Sequence, residues 1–481
     1  MKKIKILWAL LLTMCMVFSL VACGNNQNEK TDVGTETEME TETETNTNAG
    51  TDTAEGADSA FNLPAGPTEI ELWTDMTIDE KILTDAIAKF EAAYADKGYT
   101  VVLNKFAGSE RATLISAAVE SNTLPSLLLS AWFTTADYVH QGLIADITDI
   151  TVPVQDQMYK SSYDATLINE KSYMIGLYQS YFGLLYNADI FREAGLEQYV
   201  TSGEIEIATW TLDELEMILA TLAQHFKGTE KYPMPLFAAS AQADTYMLNW
   251  LNMYGGHMWE NGYSSSGSDE NVIAALDRMI YWNQQGWTNS NVITKDGTEV
   301  SPDFANQMSA ICSGQYTNYT ANKDSMESGK VTPFDMRIAA VPQKINGTDT
   351  YTMANYIYGA SVMNNGNEDE TAVAKEFIRW LLQDQESLTA INTNAIPCFT
   401  AITEAASVEN PLYTEYTKFE PNIWDFTGGV AGYVATRSTL FPELQAAFSG
   451  EKTSAEALAS YSENANEIIQ EYMDNSLVLK D

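Results

Sequence analysis

KSYMIGLYQSYFGLLYNADIFREAGLEQ, residues 171–198, decides how the chain is organised. Residues 173–177 form a short apolar run without helical period and 182–186 a second, and both read as buried strands. Between them Tyr178, Gln179, Ser180 and Tyr181 make a polar, aromatic joint. Such a joint predicts that the chain leaves one α/β lobe here and enters another, laying polar aromatics along the seam. Asn187 can then cap a short helix through Ile190 and Phe191, which Gly195 ends.

Upstream, Ile70, Leu72 and Thr74 alternate with Glu69, Glu71 and Trp73, which is a strand signature. The period then becomes helical. Thr77 with Glu80 makes a capping-box pair, Leu83, Ile87, Phe90 and Tyr94 share one face, and Gly98 stops the helix. Residues 100–103 read as the next strand, 109–120 as a helix, and 127–129 as a third strand after Pro125. This alternation predicts βαβ units and a mostly parallel sheet, with ligands bound beyond the carboxyl ends of its strands. Those ends carry Trp73-Thr74-Asp75 and Ser130-Ala131-Trp132-Phe133.

Downstream of the joint helices dominate. Thr211 and Glu214 cap one with Leu212, Leu215, Leu219 and Leu222 inward; 246–254 is a second, ended by Gly255-Gly256; a third runs from about 268 to Gly286. Residues 338–341 and 356–362 read as late strands, and 372–382 and 454–472 as late helices.

At the N-terminus three lysines precede an apolar run and Leu20-Val21-Ala22-Cys23-Gly24. A run this short behind a basic start reads as an export signal rather than a spanning helix. Residues 24–64 follow as an acidic tether, in which threonine alternates with acids and almost nothing is apolar enough to bury, so it is expected to stay unfolded. A flexible chain of that length spans about 35 Å. The net charge is −40; three lysines belong to the signal and ten acids against Lys30 to the tether, leaving about −34 for the folded part. Acidity on that scale argues against nucleic acid or anionic lipid as its partner. Past the signal and Cys23 only Cys312 and Cys398 remain, so one disulfide is open but not required, and there is no disulfide framework. His140, His225 and His257 are too scattered to suggest a zinc site, and no EF-hand spacing occurs.

Four landmarks in order carry a resemblance: LPSLLLSAWFTTADYVHQGLIADIT from 124, GLLYNADIFREAGL from 183, TWTLDEL at 209–215 and FSGEKTSAEALA at 448–459. With the small residues before Cys23, which are similar to a bacterial lipoprotein signal, the chain from 68 to its C-terminus resembles the extracellular solute-binding proteins of carbohydrate ABC importers, the maltodextrin binders among them. The resemblance implies a two-lobed, periplasmic-binding-protein-like α/β fold of type II with a sugar in the cleft between lobes. It implies residues 65–177 with 343–397 as lobe 1 and 178–342 with 398–481 as lobe 2. It implies a lipidated Cys23 and an address on the outer face of the membrane, as in a Gram-positive cell. The partners would be a mono- or oligosaccharide and the ABC permease subunits; the protein would be a monomer with no cofactor, metal or catalytic residue.

Carried over by position, the resemblance places Trp73 and Asp75 in the cleft after the first strand, and Ser130, Trp132, Phe133 and Thr134 after the third. The joint adds Gln179, Ser180 and Tyr181. The later candidates are Asp244, Thr245 and Tyr246, then Gln315 and Tyr316, then Asn355 and Tyr356, and finally Arg437. Maltodextrin binders have an Asp-Arg pair where this chain has Phe133-Thr134, an acid at Ser180, a tryptophan at Tyr316, and Pro-Asp where it has Pro125-Ser126, so the cleft is expected to be less charged than theirs.

Each residue also has a plainer reading. Aromatics bury large areas and often serve as core; Trp210, Trp282 and Trp380 read as core, Trp132, Tyr181 and Tyr316 as cleft, and Trp73 and Trp250 as either. Asp75 and Asp244 can equally cap the helices that follow them. Three other functions fit parts of the chain: the same scaffold holding a non-sugar solute, a lipid-anchored glycoside hydrolase, which needs two facing carboxylates, and a surface adhesin.

Overall fold

The computed structural model describes residues 61–392 and 395–479; the signal, Cys23 and nearly all of the tether lie outside the described residues. Strands β1 (Thr68–Thr74), β2 (Tyr99–Lys105) and β3 (Leu127–Ala131) alternate with helices α1 (Glu80–Ala93) and α2 (Arg111–Ser121). β1 lies between β2 and β3, parallel to both. The capping box read at Thr77 does not form. Asp79 caps α1 instead, its carboxylate accepting from Lys81 N–H at 2.7 Å, because the chain stays non-helical through Ile78. α3 (Trp132–His140) follows β3 with no loop between them.

The two apolar runs of the organising stretch are one strand, β4 (Ile175–Asn187), with all thirteen residues buried. The polar joint does not break it, because Tyr178 to Tyr181 pair residue for residue with a second long strand. Asn187 caps α4 (Ala188–Glu193) as its sequence requires. α5 (Leu212–His225) carries the Thr211–Glu214 capping box and buries its four leucines. α6 (Ala243–Leu251) and α7 (Glu270–Gln284) complete the helical stretch.

The chain returns to the sheet through β5 (Ile311–Gly314), α8 (Tyr316–Glu327), β6 (Met336–Ala339), β7 (Val341–Ile345) and β8 (Thr348–Val362). β8 is the partner of β4 and runs antiparallel to both β4 and β3, while the short strand Ile423–Asp425 joins β8 in parallel, so the sheet is mixed rather than mostly parallel. The spine order is β6-β4-β8-β3-β1-β2, with β5 also on β4. At Gly359 the β4–β8 register shifts, and a Cβ there would stand 2.1 Å from the Ile175 carbonyl oxygen, so only glycine lets the strands approach. α9 (Glu368–Gln383), β9 (Ile423–Asp425), α10 (Tyr433–Ser449) and α11 (Ser454–Asn475) finish the fold.

Two hydrophobic cores divide this sheet. The first gathers residues from Ile70 to Tyr178 and again from Ile357 to Ile402; the second gathers Tyr181 to Ala354 and again Leu412 to Ile469, with Ile396. β4 and β8 are therefore shared, each passing from one core to the other within three or four residues. Residues 343–354, grouped with lobe 1 in the sequence reading, sit beside the second core. Cys312 and Cys398 are buried free thiols, one in each core. Trp210, Trp250 and Trp282 are core, and Trp380 packs against Phe90 at its edge.

Candidate ligand-binding cleft

Where β4 and β8 change cores, their alternating side chains make a two-faced ladder. Opposed pairs Tyr178–Tyr358, Ser180–Tyr356 and Phe182–Ala354 lie on one face, and Gln179, Tyr181, Asn355 and Ile357 point to the other. Over the first of these faces lies a cavity of about 340 Å³. Tyr178 and Tyr358, stacked at 4.9 Å and 25°, form its aromatic wall. Thr77 and Asp79 enter from the first core side, and Gln315, Thr317 and Asn318 from the start of α8 on the second. Gln315 and Asn318 are fixed by a reciprocal cap across that first turn. Ser180 also lines the cavity; it is 3% exposed, and its hydroxyl has no hydrogen-bond partner among the described residues. Burial pushes the Tyr358 phenol up to about 12, so it stays neutral.

Farther along the same face the cleft is closed by rings. Phe133 stacks on Tyr356 at 5.0 Å and 20°, and Phe426 meets Tyr356 at 4.5 Å and 65°. The Arg437 guanidinium lies 5.2 Å from the Phe133 centroid. Asp244 holds it there by accepting from Nε at 2.6 Å and Nη2 at 3.0 Å, and also accepts from the Tyr433 hydroxyl at 2.6 Å. Phe133, Tyr356, Asp244 and Arg437 are thus brought together, but with one another. Neither Asp75 nor Asp244 caps a helix.

The other sequence candidates lie elsewhere. On the back face Gln179 accepts from Ser162 at 2.6 Å and Asn355 at 2.8 Å, and Tyr181 donates to Glu420 at 2.9 Å. Asp75 is paired with Arg111, which also donates to Ser130 at 3.0 Å. Trp73 is half-buried and donates to Glu71 at 2.9 Å. Trp132 is 2% exposed in the first core, and Thr134 donates to the Ala131 carbonyl at 2.9 Å. Tyr246 stacks on Phe237 within the second core, where Tyr316 packs on Tyr413 and accepts from Asn410. Thr245 lies on α6.

Sequence reasoning missed Thr77, Asp79, Thr317, Asn318 and Tyr358 in the cavity, left Tyr178 in the joint without a ligand role, and missed Phe426 and Tyr433 on the seam. Period two along residues 354–358 could have found Tyr358, because Tyr356 was already a candidate. The others follow no pattern.

A second contact joins the cores beside the seam. Asp137 on α3, 5% exposed, accepts from Gly432 N–H at 2.9 Å at the N-terminus of α10. Burial raises its carboxyl to about 7, against the lowering effect of the Gly432, Val434 and Tyr433 amides.

Two cores, shared crossing strands and a cavity at the crossing define the two-lobed, periplasmic-binding-protein-like α/β architecture. The chain matches the sequence model of the bacterial extracellular solute-binding protein family over residues 73–387, and it belongs to that family. Solved structures agree on the fold. The cyclic alpha-maltosyl-1,6-maltose binding protein of Arthrobacter globiformis is 18% identical with a TM-score of 0.67, covering 84% of this chain and 100% of its own. The sugar-binding protein MalE of Xanthomonas citri is 13% identical with a TM-score of 0.68, covering 84% and 98%. Maltose-bound MalE3 of T. maritima is 16% identical with a TM-score of 0.64, covering 82% and 98%. A comparison with curated protein sequences finds no match.

Proposed function

We propose that this protein captures a sugar in the cavity between its cores and delivers it to an ABC import permease. The observation that carries the reading is the cavity itself: a stacked tyrosine wall for a sugar's apolar face, the Asp79 carboxylate and neutral donors and acceptors around it, and a buried Ser180 hydroxyl without a partner among the described residues. A sugar supplies both needs, since an unpaired buried polar group costs about 1–3 kcal/mol. Structural relatives that bind sugars, the cyclic alpha-maltosyl-1,6-maltose binding protein and the sugar-binding protein MalE, support the same choice.

The lobes we assign follow the cores, so that β4 and β8 are the crossing segments and lobe closure grips the ligand. An acyl group on Cys23 holds the protein outside the membrane at the end of its tether, where a closed monomer meets the permease; Cys23→Ala should release it to the medium. Among the described residues no helix is long and apolar enough to cross a membrane. The reading is of a binder rather than an enzyme: glycoside hydrolysis needs two carboxylates flanking the bond, and among the described residues Asp79 is the one acid lining the cavity.

Thermal unfolding against mono- and oligosaccharides, with amino acids and short peptides as controls, tests the reading. At one hundred times its dissociation constant a ligand adds about 2.7 kcal/mol and raises the midpoint by several degrees. A shift with peptides or amino acids alone refutes the sugar claim.

A further inference from the structure

The cleft floor is open over only part of its length. Tyr178, Ser180 and Tyr358 line the cavity; Tyr356 and Phe182, next on the same face, do not. Phe133 from α3 stacks on Tyr356, and Phe426 packs against both Tyr356 and Phe182, with Phe182 edge-on to Tyr356 at 4.7 Å. The plug is held in place, because Arg437 spans from the Phe133 ring to the buried Asp244 carboxylate. What remains, about 340 Å³, is at the small end of ligand pockets, which run from roughly 300 to 1,000 Å³.

The lining is also one-sided in charge. Among the described residues that line it, Asp79 is the one formally charged group, and no lysine, arginine or histidine is present. Lys105, beside Ile78, has its ammonium on the Ile78 carbonyl oxygen at 2.7 Å and is not part of the lining, and Arg111 is taken up by Asp75. An anionic ligand would lose its hydration and gain no cation in return.

Resting on the sugar-binding reading, we propose that the cleft is built for one uncharged sugar of one or two rings. It excludes sugar acids and sugar phosphates by charge, and longer chains by the Phe133–Tyr356–Phe426 plug. Phe133 is therefore the residue that sets ligand length.

Calorimetric titration of the whole chain tests this. The probes are neutral mono- and disaccharides (glucose, galactose, mannose, maltose, cellobiose, lactose), the matching tetraoses of the glucose series, and glucuronate, galacturonate and glucose 6-phosphate. A neutral mono- or disaccharide should bind, with its tetraose and its acid or phosphate at least tenfold weaker. Phe133→Ala should raise the tetraose-to-disaccharide affinity ratio at least tenfold, a ratio that general loss of fold does not move. A tetraose or an anion binding as tightly as its small neutral parent, or an unchanged ratio in Phe133→Ala, overturns the proposal while leaving the sugar-binding reading intact. No binding by any sugar overturns both.

Discussion

The two faces of the β4–β8 ladder do opposite things with similar residues. One face offers Tyr178, Ser180 and Tyr358 to a cavity; the other ties Gln179, Tyr181 and Asn355 to Ser162 and Glu420. A one-residue step along either strand moves a side chain from ligand space to the hydrogen bonds that pin the crossing. A run of neighbours such as Gln179-Ser180-Tyr181 therefore cannot act together on one ligand, whatever its composition.

The largest expected effect checks a residue that belongs to neither face. Trp132→Ala should cost about 3–5 kcal/mol of stability, because it empties a buried indole site in the first core. Denaturant unfolding measures this; intact stability with lost sugar affinity would return Trp132 to the cleft.

On the cleft face, Tyr358→Ala should weaken the cognate sugar about tenfold, or about 1.4 kcal/mol, by removing half of the stacked wall. Titration calorimetry decides it, and unchanged affinity would break the distinction between the faces.

Asp137 probes the other contact between the cores. Its folded pKa, about 7, stands above the unfolded value near 4, so its contribution to stability is greatest below the unfolded value and is lost as pH rises through 7. Between pH 6 and 8 the loss should be on the order of 1 kcal/mol, and Asp137→Asn should remove it from the stability–pH profile. Parallel profiles for the two proteins would refute the assignment.

The smallest effect belongs to the back face. Tyr181→Phe deletes the bond to Glu420 and should lower stability by about 1 kcal/mol or less, leaving sugar affinity unchanged. A fall in affinity would show that the pinning side of the ladder also governs closure.

Much of the fold was legible because its signals are local. The Thr211–Glu214 box, the Asn187 cap and the leucine stripe of α5 act within one or two turns, so chain order alone specifies them. The change of core at 178–181 was legible too, since polar aromatics between apolar runs mark a place where two cores meet. The break expected there was absent because β8, distant in sequence, supplies the hydrogen bonds that keep the backbone extended.

The cleft was less legible. Ser180 and Gln315 line the cavity, and Phe133, Tyr356, Asp244 and Arg437 meet on the seam. Asp75 turned instead to Arg111, and Tyr316 to Tyr413, because each met a partner more than thirty residues away in sequence.

The sequence by itself determined the alternation of strands and helices, the Asn187 and Thr211–Glu214 caps and the stretch where the chain passes between cores, all set by periodicity and neighbouring residues. Tertiary structure alone decided which side chains face the ligand space and where that space ends. Those depend on the register of β4 against β8 and on rings brought together from α3, β8 and the Phe426 loop, contacts that no local pattern encodes.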